Sequence, residues 1–287
     1  MRLFGLTEAG HYCASFTPEI GDAEGSLDQF RRKYLPSVMM IKEGTQAFNE
    51  YRACALRDVE RSLFFSASLY RRCLDSLIAS ASPWAQVTMY YGCWHSARAI
   101  LGMFGCAVFD RFVVDVKRSH PTAQELSVRR IGTGAGEEPT TYSGPHRRFW
   151  DIFYRAVNIL RPLAGPALSF ALLPVAGDPA WQIDRRNEIN YDTHKALDTA
   201  VSFDRAFSAA GFPSSLPGSL GTQYGLFESL LEITFTFAAQ LSLRTDGLAL
   251  LSPSTTRSEL ISKLVYSPRP PSLISKTKKR ILVRRVR

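Results

Sequence analysis

Little in this chain would staple it or anchor it. Its five cysteines, Cys13, Cys54, Cys73, Cys93 and Cys106, are an odd number with no C-x-x-C spacing. That pattern argues against a disulfide framework and a zinc site, and fits a reducing, cytosolic setting. Long apolar runs are also missing: the stretch 163–175 is broken by Pro166 and Pro174, and 226–241 carries Glu228 and Glu232. No membrane span is therefore expected. Arg2 and Glu8 interrupt the first residues, so the apolar core of a secretory leader is not expected either. No Gly-Lys-Ser/Thr, H-E-x-x-H or Gly-x-Ser-x-Gly pattern occurs, which leaves no motif for a phosphate loop, a metalloprotease helix or a nucleophile elbow. No metal and no cofactor are expected. Gly132-Thr133-Gly134-Ala135-Gly136 has glycines at dinucleotide-like spacing, but no evident helix follows it.

What the chain does have is a large apolar share and an uneven charge. Over 287 residues, 45% apolar side chains are enough for a sizeable core without staples. The formal charge of +9 lies almost wholly in one place. From Thr255 to Arg287 there are ten Lys or Arg against Glu259 alone, and the rest of the chain holds 25 basic and 25 acidic residues. The basic character therefore belongs to a tail, 254–287, rich in Ser, Pro and cations. Such a tail is expected to be flexible and able to meet nucleic-acid phosphates in a salt-dependent way, or else to be merely solvated.

Between a Gly- and Pro-containing lead, 1–47, and that tail, the spacing of apolar residues predicts helices. Phe48, Tyr51, Ala55, Val59, Leu63, Ala67, Tyr70, Leu74 and Leu77 recur every three or four positions. Ser82-Pro83 offers an N-cap and first-turn pair for a second helix, with Gly105 as its C-terminal glycine. Phe112, Val114 and Val116 alternate with Val113, Asp115 and Lys117, the period of a half-buried strand with a partner near 127–131. The segment 109–141 thus reads as a small β insertion. Further helices are expected over 145–160, ended by Pro162, then 183–209 and 224–243.

Two segments set polar and aromatic groups among apolar neighbours. In Tyr90-Tyr91-Gly92-Cys93-Trp94-His95-Ser96-Ala97-Arg98-Ala99, the residues Tyr91, His95 and Arg98 fall on one helical stripe beside an apolar stripe of Trp84, Val87, Trp94 and Leu101. In Arg186-Asn187-Glu188-Ile189-Asn190-Tyr191-Asp192, the residues Arg186 and Asn190 align with His194. The first segment is similar to the Tyr-Tyr-x-x-Phe-His-x-Ala-Arg helix of the HEPN superfamily, and the second resembles its Arg-Asn-centred helix. The resemblance covers roughly 48–209 without the insertion. Within it, the length and the Asn-Tyr after the arginine also resemble the bacterial YaaC-like proteins.

The resemblance implies a HEPN-like antiparallel helix bundle, a cytoplasmic homodimer or a subunit of a larger complex, and nucleotide or RNA chemistry in a prokaryotic regulatory or phage-defence setting. Packed together, Arg98, Arg186, Asn187, Tyr91 and Tyr191 would bind a phosphate, since a guanidinium grips phosphate through paired hydrogen bonds. Nuclease members carry a histidine about five residues after the arginine, where this chain has Tyr191, and a phenol is a poor base at neutral pH. A binding module is therefore the first expectation. A metal-independent endoribonuclease using Arg186 with His95 or His194 is the second, and a non-catalytic structural subunit the third. Arg186 could instead pair with Asp184, Glu188 or Asp192 in a network that only fixes helix register.

Overall fold

The computed structural model describes residues 3–14, 26–35, 40–120, 123–172, 178, 180–208 and 211–244; the basic tail lies outside the described residues. They form eight helices and a five-stranded sheet. In chain order these are α1 (Leu6–Ala14), α2 (Leu27–Tyr34), β1 (Met40–Lys42), α3 (Gln46–Ile78), α4 (Ser82–Met103), β2 (Cys106–Val108), β3 (Phe112–His120), β4 (Ala123–Gly132), β5 (Glu138–Pro139), α5 (Pro145–Leu172), α6 (Trp181–Tyr191), α7 (Thr193–Ala206) and α8 (Gly218–Arg244). The chain is thus mainly helical. No helix among the described residues is long and apolar enough to cross a membrane, and no group of three His, Cys, Asp or Glu among them could hold a metal ion.

The described residues divide into two compact units: one draws on 3–62, 98–164 and 237–244, the other on 63–97 and 165–236. Both α3 and α4 contribute to each.

The first unit holds the sheet. Its strands run in the order β1-β4-β3-β2, all antiparallel, with β5 pairing parallel to β4. Residues 40–42 of the N-terminal lead therefore belong to the sheet, as do 106–108, both outside the expected insertion. The expected half-buried face is absent, because Val113, Val114, Asp115 and Val116 are all buried. A buried carboxylate must be paired. Asp115 is paired by Arg129, diagonally across the β3–β4 ladder at 3.1 Å; Arg129 also reaches Glu138 at 3.1 Å, and Glu138 accepts from Arg155 of α5 at 2.8 Å. This ion chain ties the sheet to α5. The helix α5 buries Phe149, Trp150, Ile152, Phe153, Ala156, Val157 and Leu160 and leaves Ile159 exposed. Contrary to expectation it continues past Pro162 to Leu172: a proline removes one N–H from the ladder, which can bend a helix without ending it. After α4, Gly105 adopts φ +74, and a Cβ there would lie 2.6 Å from the Phe4 ring.

In the second unit, α4 opens at Ser82 itself, with Ala81 accepting from the Ala85 N–H at 3.0 Å, so Ser82 is not the cap. The expected apolar stripe is also displaced. Trp84 is 68% exposed, and the face that packs is Ala85, Met89, Tyr90, Cys93 and Ala97. Because α4 is apolar on nearly every side, residue size was a poor guide to its inner face. Gly92 marks that face: a Cβ there would sit 2.1 Å from the Phe227 ring of α8, so the two helices meet where no side chain intervenes. Nearby, Glu228 accepts from Tyr70 at 2.7 Å and Tyr224 at 2.8 Å inside the core.

The single helix expected over 183–209 is two. Asp192 takes extended angles (φ −116, ψ 97) and its carboxylate accepts from the N–H groups of His194 and Lys195. It ends α6 and caps α7, a role for which aspartate is among the best residues. The glycine loop after β4 also has a local explanation: Glu137 accepts from the Gly134 N–H at 2.8 Å and a strand follows rather than a helix.

Candidate functional site

The second unit brings part of the expected constellation together. Arg186, on α6, lays its guanidinium over two adjacent rings of α4, at 5.1 Å from the Tyr90 centroid and 6.0 Å from that of Tyr91. Its Nη1 donates to the Tyr91 hydroxyl at 3.4 Å, while Nε is buried without a partner. Tyr90 is fully buried and stands edge-on to Tyr91, with ring centroids 5.1 Å apart; Tyr91 is 36% exposed. The buried ring thus forms a floor that holds the arginine, and the outer ring offers its hydroxyl beside it. Cation–π contacts of this kind fix a guanidinium without neutralising it.

The competing carboxylates are taken up elsewhere. Glu188 pairs with Arg185 at 2.8 Å and Asp192 caps α7. Among the described residues no carboxylate pairs with Arg186. Asn187, next in sequence, is part-exposed and its side chain makes no hydrogen bond among the described residues.

The other candidates are placed differently. His95 stacks on Phe65 of α3, with centroids 5.2 Å apart and planes 25° from parallel. Tyr191 is the last residue of α6 and 80% exposed. His194 is on α7, beyond the Asp192 break, with Nδ1 3.2 Å from Asp198, so its alignment with Arg186 and Asn190 does not survive. Arg98 belongs to the first unit, where its Nη2 donates to Asp58 at 2.8 Å and it borders a cavity of about 240 Å³ also lined by Arg31 and Phe149. Within the second unit the expected cluster therefore reduces to Arg186 and Tyr91. Sequence reasoning did not single out Tyr90 as the floor, Phe65 or Asp58. The signal for Phe65 was present, an aromatic off the buried Leu63–Ala67–Tyr70 stripe; nothing in the sequence marked Asp58 as the partner of Arg98.

No protein-family profile, curated protein or solved structure matches this chain.

Proposed function

We propose that this protein is a HEPN-like binding module that takes the phosphate of a nucleotide or RNA at Arg186, with Tyr91 as a second hydrogen-bonding group. The observation that carries this reading is the state of Arg186, a guanidinium held on tyrosine faces with no carboxylate against it among the described residues. An arginine serving helix register alone would be expected to meet an acid, and part-exposed Arg186 meets none among the described residues. Here a cation–π floor holds the charge in place and leaves it for an incoming anion. Guanidinium and phosphate match in geometry, and Tyr91 could donate to a phosphate oxygen as readily as it now accepts from Nη1. The binding reading also has more support than the nuclease one: Arg186 and His194 lie on different helices, and the histidine faces Asp198.

The test is the binding of a short fluorescent single-stranded RNA to the wild type and to Arg186→Ala, with thermal melts of both. Affinity is expected to fall by about tenfold or more, the loss of a charge-assisted hydrogen bond, while the melting temperature changes little. A collapsed melt with unchanged affinity in the folded fraction would return Arg186 to a structural role.

A further inference from the structure

The unit that holds Arg186 also contains a cavity of about 270 Å³, at the beginning of α8. It is bordered by Arg185 and Glu188 of α6, by Lys195 and Asp198 of α7, by Gln86 of α4, and by Gly218 and Ser219. Three features make it more than a surface dent. The first is the helix end: Pro217 stands at the cap position and has no side-chain acceptor, and its carbonyl takes the N–H groups of Leu220 and Gly221 at 3.1 and 3.3 Å. The N–H groups of Gly218 and Ser219 donate to nothing among the described residues. The second is Gln86, 2% exposed, whose Oε1 is buried with no partner. A buried carboxamide oxygen left unpaired is costly. Its backbone carbonyl is engaged by Gln223 at 3.2 Å, and Gln86 is among the residues that border the cavity. The third is charge. Glu188 is taken by Arg185 at 2.8 Å, and Asp198 faces His194 at 3.2 Å. Lys195 has no carboxylate partner among the described residues.

We infer that this cavity binds a small phosphate monoester, its phosphate on the open end of α8 and Lys195 and its organic part against Gln86. Open N–H groups at a helix start and a nearby ammonium together recognise a phosphate, through the partial positive charge of the helix end and direct hydrogen bonds. The volume exceeds what a phosphate alone fills, and the buried carboxamide asks for a hydroxyl or amide on the rest of the ligand, presenting C=O or NH₂ as the ligand requires. The site is independent of Arg186, which sits on the Tyr90–Tyr91 floor rather than in this cavity.

Ribose 5-phosphate, with ribose and inorganic phosphate beside it, is the probe, titrated calorimetrically into the full chain. Ribose 5-phosphate is expected to bind, inorganic phosphate more weakly, and ribose not measurably. Measured in an Arg186→Ala background, so that the proposed site on the Tyr90–Tyr91 floor does not add to the signal, Lys195→Met and Gln86→Leu should each weaken ribose 5-phosphate by about tenfold. Gln86→Leu removes the unpaired oxygen and keeps the volume, so it is expected to fold. Failure of ribose 5-phosphate to bind the Arg186→Ala protein at about 10 mM, a threshold near 3 kcal/mol of binding, would overturn the inference, as would equal affinity in that protein and in both cavity variants built on it. If Gln86→Leu alone is silent and inorganic phosphate binds as well as the ester, the organic half of the assignment is wrong.

Discussion

At the scale of single residues, position matters less than what faces each charge. Arg185 and Arg186 are neighbours, yet Arg185 meets Glu188 and Arg186 meets two tyrosine rings. A helix turns 100° per residue, so adjacent side chains face different surroundings. The same logic separates Arg98, neutralised by Asp58, from Arg186. Replacing Arg186 with Lys keeps the charge but loses the planar fork and the flat contact with the rings. RNA affinity is expected to drop by about tenfold, with a stability change of only about 0.5–1 kcal/mol from the weaker ring contact. Anisotropy titrations and urea melts read the two effects separately, and undiminished affinity in Arg186→Lys would mean that only net charge counts.

At the scale of elements, two substitutions probe why the helices begin, end and meet where they do. Asp192→Ala removes the cap of α7 and should cost about 1 kcal/mol in chemical unfolding; an unchanged midpoint would mean the break between α6 and α7 does not depend on the Asp192 side chain. Gly92→Ala places a methyl where the Phe227 ring lies, and overpacking of that kind costs about 1–3 kcal/mol. The double variant Gly92→Ala/Phe227→Leu should lose less than the two single losses added together, because the smaller partner admits the methyl. Additive losses would place the two residues out of contact.

These elements also show what the sequence disclosed. The helix around Phe48–Leu77 and the first part of α5 followed from three-to-four spacing, and β3 from its alternating residues, with a partner expected near 127–131 inside β4. What was not legible had physical reasons. Met40–Lys42 is too short to show a period, and Asp115 looked like the solvent face of a strand because only its partner, Arg129, makes burial tolerable. Asp192 read as one more polar residue in a helix, when its side chain was competing for the backbone. Of the site, Arg186 and Tyr91 were legible from the motifs, whereas the floor of Tyr90 and the separate pairing of Arg98 needed three dimensions.

At the scale of the whole molecule, all five cysteines are free and buried, and burial pushes the Cys13, Cys73, Cys93 and Cys106 thiols well above the ordinary range. A buried thiol stays protonated and unreactive. The native chain at neutral pH should therefore give little colour with a disulfide reagent over minutes and the full five thiols in denaturant; rapid native labelling would mean that a cysteine-bearing segment opens. Charge, by contrast, gathers in residues 254–287, so if the proposed RNA binding holds, removal of those residues is expected to reduce a non-specific, salt-dependent part of the affinity. The Arg186 contribution has to be read above that background, by comparing proteins that share the same tail. The decisive measurement is the slope of log affinity against log salt for a short single-stranded RNA, in the wild type and in Arg186→Gln. If Arg186 contacts a phosphate, the slope should become shallower by about 0.7 in the variant. Parallel lines of equal slope would contradict the assignment of Arg186 as the phosphate-binding residue.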